Sequence, residues 1–274
     1  MQANPFDNVS IPALYVLTVA LFFVVDELGY RFGLRYKART GGIKESLVGA
    51  NLGILLGLLS FMVAFFIGMA ASRFDTRLHL VLADANSIGT TALRAELLPE
   101  PYAAQVQGML REYVDVRAAT SRREIGLPEA KARSEQLLEQ IWEAATAAAE
   151  VRPTPITAAF IQSLNETIDI NSEVVFSITT NRMPISTLLI VYLVATVSFL
   201  LLGFHNSLHE NRNLVSLTLV VAVFSVVIML IFDLDRPRDG LLQISYEPIL
   251  ELQDALHKKA ASLSGPAADR ESGQ

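Results

Sequence analysis

The chain has 274 residues and a mass of 30.0 kDa, a length that suits one large domain or two small ones. Half of it (51%) is apolar and only 18% is charged, against roughly 25% in soluble domains, and the mean hydropathy is +0.38. A formal net charge of −6 gives no basic footprint for nucleic acid, and zero cysteines exclude disulfides, Cys-ligated zinc, iron–sulfur clusters and thiol nucleophiles. The chain is therefore shared between a lipid bilayer and water.

Four apolar runs carry the excess: 9–25, 47–71, 185–204 and 214–232. A hydrocarbon core of about 30 Å needs roughly 20 helical residues, so each run is long enough, the first only just. Pro12 and Pro184 fall at helix starts, where a missing N–H costs little, and Asn213 is placed to cap the fourth helix. The flank before the first run has no Lys or Arg and no small-x-small cleavage site follows it, so it reads as a retained helix. The organisation expected is a transmembrane hairpin over 1–71, a helical water-soluble module over 72–184, a second hairpin over 185–232, and a C-terminal segment over 233–274 with a disordered tail.

Orientation follows basic residues in short loops. Arg31, Arg35, Lys37, Arg39 and Lys44 stand between the first two runs, which puts that loop in the cytoplasm and the N-terminus, the module and the C-terminus outside. Arg73, Arg77, Arg182, Arg236 and Arg238 flank spans on the other side and pull the opposite way.

The module reads as helices punctuated by proline. Phe74 to Leu98 continues span two, and Tyr102 to Glu124, Glu129 to Glu150 and Ile156 to Asn181 follow. In the last, Ile156, Phe160, Ile161, Leu164, Ile168, Val175 and Ile178 make one apolar stripe. After span four, Leu242, Ile244 and Tyr246 alternate with polar neighbours as a short extended piece would, and Pro248 to Ala261 is an amphipathic helix. The fold class expected is all-α.

Span two holds the main candidates. Gly49, Gly53 and Gly57 recur every fourth residue, and in lipid such a stripe marks a face that another backbone approaches closely. That partner is another span of the same chain, a second subunit, or the lumen of a pore. Phe61 and Phe65 continue the spacing, and a ring of phenylalanines about an axis would gate a pore by dewetting, against the plainer reading that they face lipid or core. No ionisable residue lies inside the runs, which counts against a coupled transporter and leaves a passive channel open.

The remaining candidates are polar. Glu27 stands four residues before Arg31, as an ion pair on one helix face would. His205 and His209, spaced i,i+4 with Glu210 adjacent, could face one metal. Asp233, Asp235 and Asp239 echo part of a calcium loop, with Pro237 where a ligand would stand, so a salt-bridged turn is the plainer reading. There is no HExxH, GxSxG, P-loop or GxGxxG, so no enzyme is expected and no cofactor.

Residues 72–99 carry a resemblance. Ser72-Arg-Phe-Asp-Thr-Arg77, then Asp84-Ala-Asn-Ser-Ile-Gly-Thr followed by Arg94-Ala-Glu-Leu-Leu-Pro99, looks like the signature of a bacterial bestrophin-like membrane family of undefined function, with Asp84 for the more usual Glu. Leu164-Asn-Glu-Thr-Ile-Asp169 and Asp233-Leu-Asp-Arg-Pro-Arg-Asp-Gly240 match in the same order. The resemblance implies a distant link to bestrophins, pentameric anion channels with a phenylalanine neck on span two, a calcium-binding acidic cluster after span four, and termini and module in the cytoplasm. Phe61 and Phe65 would stand at the neck and the three aspartates at the cluster, but the Ile-Pro-Phe-type pore motif is absent and Arg236 and Arg238 interrupt the acids.

These blocks suggest one polar network fastening the module to the spans: Arg73, Asp75, Arg77, Asp84, Asn86, Arg94 and Glu96 on one helix, Asn165, Glu166 and Asp169 on the returning helix, and Asp235 with Arg236 beyond span four. The alternative is that they line an ion vestibule. The leading expectation is a homo-oligomeric passive ion channel in the lipid bilayer with span two lining the pore. The rival is a non-conducting membrane scaffold or sensor whose module binds a partner.

Overall fold

The computed structural model describes residues 9–40, 45–209, 212–236 and 240–264, and the ordered elements among them are all helical. They are α1 (Ile11–Thr40), α2 (Glu45–Ala95), α3 (Tyr102–Ser121), α4 (Leu127–Val151), α5 (Pro155–Thr179), α6 (Ile185–Asn206), α7 (Leu214–Asp235) and α8 (Glu247–Ser264). Among the described residues α1, α2, α6 and α7 are long and apolar enough to cross a membrane. The all-α expectation holds. Residues 242–246 form no strand, and the tail beyond Ser264, like Lys44, Glu210, Pro237, Arg238 and Asp239, lies outside the described residues.

Helix boundaries follow local chemistry. Asn213 caps α7, its Oδ1 accepting from the Ser216 N–H at 3.0 Å. Thr154 and Thr157 cap α5 reciprocally: the Thr154 Oγ1 accepts from Thr157 N–H at 3.3 Å and the Thr157 Oγ1 from Thr154 N–H at 3.0 Å. The first helix differs from expectation. It runs to Thr40, far beyond the charges at Asp26 and Glu27, so Arg31, Arg35, Lys37 and Arg39 stand on helix rather than in a loop. An i,i+4 pair, Arg31 Nε to Glu27 Oε1 at 2.8 Å, supports that extension.

The chain divides into two compact units, and the division falls inside α2. The first comprises Met1–Asp75 with Thr179–Gln243, the second Thr76–Ile178 with Ile244–Gln274. The C-terminal segment is thus divided: the turn after α7 belongs to the first unit and α8 to the second.

In the first unit α1 and α6 meet backbone to backbone. A methyl group added at Gly203 of α6 would overlap the Asp26 carbonyl oxygen, and one added at Gly29 of α1 would overlap the Leu200 carbonyl oxygen. Gly33 faces Ser207 just as closely. Small residues permit this approach, and dispersion at such short range is what holds helices together in lipid. Beside it Phe22 stacks on Phe199 with ring centroids 4.4 Å apart, in a core that includes Leu59, Val63, Ala195, Val221 and Ile228.

The second unit is a conventional helical core. Leu137, Leu138, Ile141, Ala144, Ala145 and Ala148 of α4 recur with helical period on its buried face, against Val106, Leu110 and Tyr113 of α3, Ile88 of α2 and Ile249 of α8. On α5 the buried face is not quite the predicted stripe. Phe160 and Leu164 are buried, but Thr167 and Asn171 are buried with them while Ile156 is exposed. The two polar residues have partners inside: Thr167 with Thr91 at 3.0 Å, and Asn171 Oδ1 accepting from the Tyr113 hydroxyl at 3.2 Å.

One substitution made at two glycines tests this packing with opposite signs. Gly203→Ala must push α1 and α6 apart and should cost about 1–3 kcal/mol. Gly108→Ala on α3, where the nearest atom to an added methyl is the Arg111 Nη2 at 3.9 Å, should gain up to about 1 kcal/mol in helix propensity. Thermal unfolding of both variants in one detergent checks the pair; equal shifts would refute the close α1–α6 contact.

Candidate functional site

The first segment of α2 is two-faced. Val48, Leu52, Leu59, Val63 and Ala70 are buried against the unit, Leu59 and Ala70 completely. On the other side Ile54, Phe61 and Phe65 are 70%, 71% and 56% exposed, and an added methyl at Gly53, Gly57 or Gly68 would meet nothing within 4 Å. Only Gly49 of the glycine candidates has a neighbour, His205. The close intramolecular packing that the glycine spacing allowed therefore occurs instead between α1 and α6. What α2 presents is an open apolar stripe of small residues followed by phenylalanines.

At the end of α7 two buried carboxylates organise the chain. Asp233 accepts from the backbone N–H groups of Leu241 at 2.5 Å and Leu242 at 2.9 Å, folding the turn back over itself. Gly240 makes that possible, because a side chain there would press within 3.0 Å of the Asp233 oxygens. Asp235 accepts from the Met183 N–H at 2.9 Å and faces two guanidiniums, Arg73 at 3.6 Å and Arg182 at 3.7 Å. Arg236, also buried, donates to the Val9 carbonyl at 2.6 Å, at the start of α1. Both carboxylates thus accept charge-assisted hydrogen bonds from backbone N–H groups, which hold the chain in place, and Asp235 in addition faces two guanidiniums.

A separate ion site joins α1 to the chain before α7. Arg212 reaches Asp26 Oδ2 and Glu27 Oε2, both at 2.5 Å, and its guanidinium lies 4.4 Å over the Tyr30 ring. The i,i+4 spacing revealed Glu27 with Arg31. Arg212 gave no such signal, being far along the chain.

In the second unit Asp84 of α2 is buried and takes two donors from Arg117 of α3 on one oxygen, Nε at 2.9 Å and Nη2 at 2.5 Å. Burial works against the charged Arg117, but Asp84, together with Tyr113 and Tyr246, more than offsets it and holds the guanidinium above its ordinary pKa. Burial also pushes the Tyr113 hydroxyl far up, with Asp84 adding to it and Arg117 opposing, so Tyr113 stays a neutral donor to Asn171. Arg94 donates to the Ala159 carbonyl at 2.7 Å, and Glu96 pairs with Lys259 of α8.

The twelve network candidates are accordingly distributed. Arg73, Asp235 and Arg236 meet at the α7 turn. Asp84 is held by Arg117, a residue outside the expected set, and Arg94 and Glu96 tie α2 to α5 and α8. Arg77 is buried, whereas Asp75, Asn86, Asn165, Glu166 and Asp169 are exposed.

Removing one member of the Asp84–Arg117 pair leaves an uncompensated buried charge. Asp84→Ala should cost about 3–5 kcal/mol, and adding Arg117→Met should recover a large part of it. Thermal unfolding of the two single variants and the double variant measures this; additive losses would refute the coupling.

A family model for the Bestrophin-like domain matches residues 13–249. No curated protein matches the chain. Among solved structures, a bacterial bestrophin homologue from Klebsiella pneumoniae is similar with a TM-score of 0.65 at 12% identity, over 93% of this chain and 99% of that one. A single-substitution variant of that homologue gives 0.66 at 13% identity, over 94% and 99%, and a further membrane-protein structure gives 0.66 at 10% identity, over 92% and 99%. At these identities the structures establish a shared fold. With the family model covering most of its length, the chain belongs to the bestrophin-like family.

Proposed function

We propose that this protein is a passive ion channel of the bacterial inner membrane, formed by several copies of the chain with α2 lining the pore. The observation that carries the reading is the open stripe of α2: among the described residues nothing lies within 4 Å of a methyl added at Gly53 or Gly57, and Phe61 and Phe65 are largely exposed, while Leu59, Val63 and Ala70 on the opposite side of the same helix are buried. A single apolar stripe of this kind is covered by lipid, by another copy, or by the lumen. The glycine spacing favours close approach of a second helix, and the phenylalanines beyond it suit a hydrophobic constriction that opens by wetting. Bestrophins are ion channels, and the shared fold lends the reading support. Passive conduction also suits apolar runs without an ionisable side chain.

For orientation the basic residues Arg31, Arg35, Lys37 and Arg39 at the end of α1 favour a cytoplasmic position for that end. Helices α3–α5 then lie outside, the reverse of the arrangement that the likeness to bestrophins suggests. The chain has no cysteine, so single-cysteine variants report topology cleanly.

In reconstituted planar bilayers the wild type should carry current, and Phe65→Ala should raise unitary conductance or open probability by about twofold or more, because a smaller side chain eases wetting of the constriction. Absence of current in both proteins would instead favour a non-conducting scaffold whose helices bind a partner. In intact cells an impermeant maleimide should label Glu139→Cys on α4 and spare Arg35→Cys on α1. The reverse labelling would overturn the orientation.

A further inference from the structure

We infer that Glu45, His205 and His209 form a binding site for a transition-metal dication of the zinc class. Their ligand atoms all lie within 4.8 Å of one another. His205 closes α6, His209 stands in the turn just beyond it, and Glu45 begins α2. Two of the donors, His209 Nε2 and Glu45 Oε1, are 3.5 Å apart. Tetrahedral zinc about 2.0–2.2 Å from each ligand holds its donors about 3.3–3.6 Å apart, so that pair already has the required separation. The remaining separations close with rotamer adjustments of the exposed Glu45 and His209.

Two features beyond the donors shape the site. Gly49 lies one helical turn after Glu45, and a methyl group added there would sit 3.3 Å from the His205 Nε2. A side chain at Gly49 would crowd the imidazole, so the glycine leaves it room beside the Glu45 face of α2. The turn carrying His209 is also held from the α1 side, where the Lys37 ammonium donates to the Leu208 carbonyl at 3.2 Å.

The donor set selects the ion. Two imidazoles and one carboxylate suit zinc, with three protein ligands and a fourth position open to water, whereas calcium and magnesium want a shell of oxygens. A bound ion would link the first turn of α2 to the end of α6 and the turn beyond it, where His209 and Glu45 already approach to 3.5 Å. The site requires no conduction, so it stands or falls separately from the channel reading.

The test is isothermal titration of ZnCl2 into the tag-free, full-length protein in detergent, with thermal unfolding alongside. Saturable binding at one ion per chain and a rise in Tm are expected, with no rise from MgCl2 at the same concentration. Because loss of an outer partner alone costs metal sites about 10–100-fold, Glu45→Gln and His209→Ala should each weaken binding at least tenfold, and His205→Ala with His209→Ala should abolish it. Gly49→Val should weaken it too, by displacing His205. Metal-free melting of each variant at the wild-type temperature shows that its fold is retained; for a variant that melts lower, zinc K-edge absorption of the wild type decides, with two imidazole ligands expected. Absence of saturable binding, wild-type affinity in the histidine variants, or a spectrum without imidazole would each overturn the site.

Discussion

Within hydrocarbon an apolar side chain gains nothing by leaving lipid for protein, so helices stay together only where their backbones come close enough for dense dispersion contact. Here that contact is between α1 and α6, where Gly29 faces the Leu200 carbonyl and Gly203 the Asp26 carbonyl. Phe22 and Phe199 stack alongside, and Arg212 ties Asp26 and Glu27 to the chain entering α7. The glycine stripe of α2 takes no part in this contact, and a methyl added at Gly53 or Gly57 would meet nothing within 4 Å.

Charge plays a different part at the end of α7. Asp233 and Asp235 are buried acids, and isolated carboxylates there would be costly. Each instead accepts from backbone N–H groups, Leu241 and Leu242 for one and Met183 for the other, and Asp235 also lies 3.6 and 3.7 Å from the Arg73 and Arg182 guanidiniums. These contacts collect the beginning of α1, a turn within α2, the start of α6 and the end of α7 at one place in the first unit. The second unit uses the same device at Asp84 and Arg117, beside a buried Tyr113–Asn171 hydrogen bond. In both units buried polar groups fix relative helix positions inside an apolar surround, where a purely apolar contact would tolerate sliding.

Much of this architecture could be read from the residues, and what could not has a consistent cause. Four spans followed from apolar run length, and the module's helices from proline and helical period, because both signals are local. The extension of α1 past Asp26 was hidden because charges look like the end of a span, although the Glu27–Arg31 spacing pointed to continued helix. Thr167 and Asn171 broke the hydropathy pattern of α5 because partners on α2 and α3 make their burial affordable. Periodic glycines on α2 advertised a close contact, but Gly29 and Gly33 on α1 make one, and spacing alone does not say which stripe is used. The same limit applies to Arg117, Arg212 and Glu45: each meets its partners across the fold, where no fixed spacing links them.

The claim on which the functional reading rests is that the uncovered stripe of α2 is completed by other copies of the chain around a central axis. Imaging the intact protein in lipid nanodiscs by electron microscopy tests it most directly. The account predicts a closed ring of several subunits with Gly53, Gly57, Phe61 and Phe65 of every copy facing a common lumen. A monomer with that stripe against lipid, or a sealed two-fold dimer in which the stripes bury one another, would contradict it.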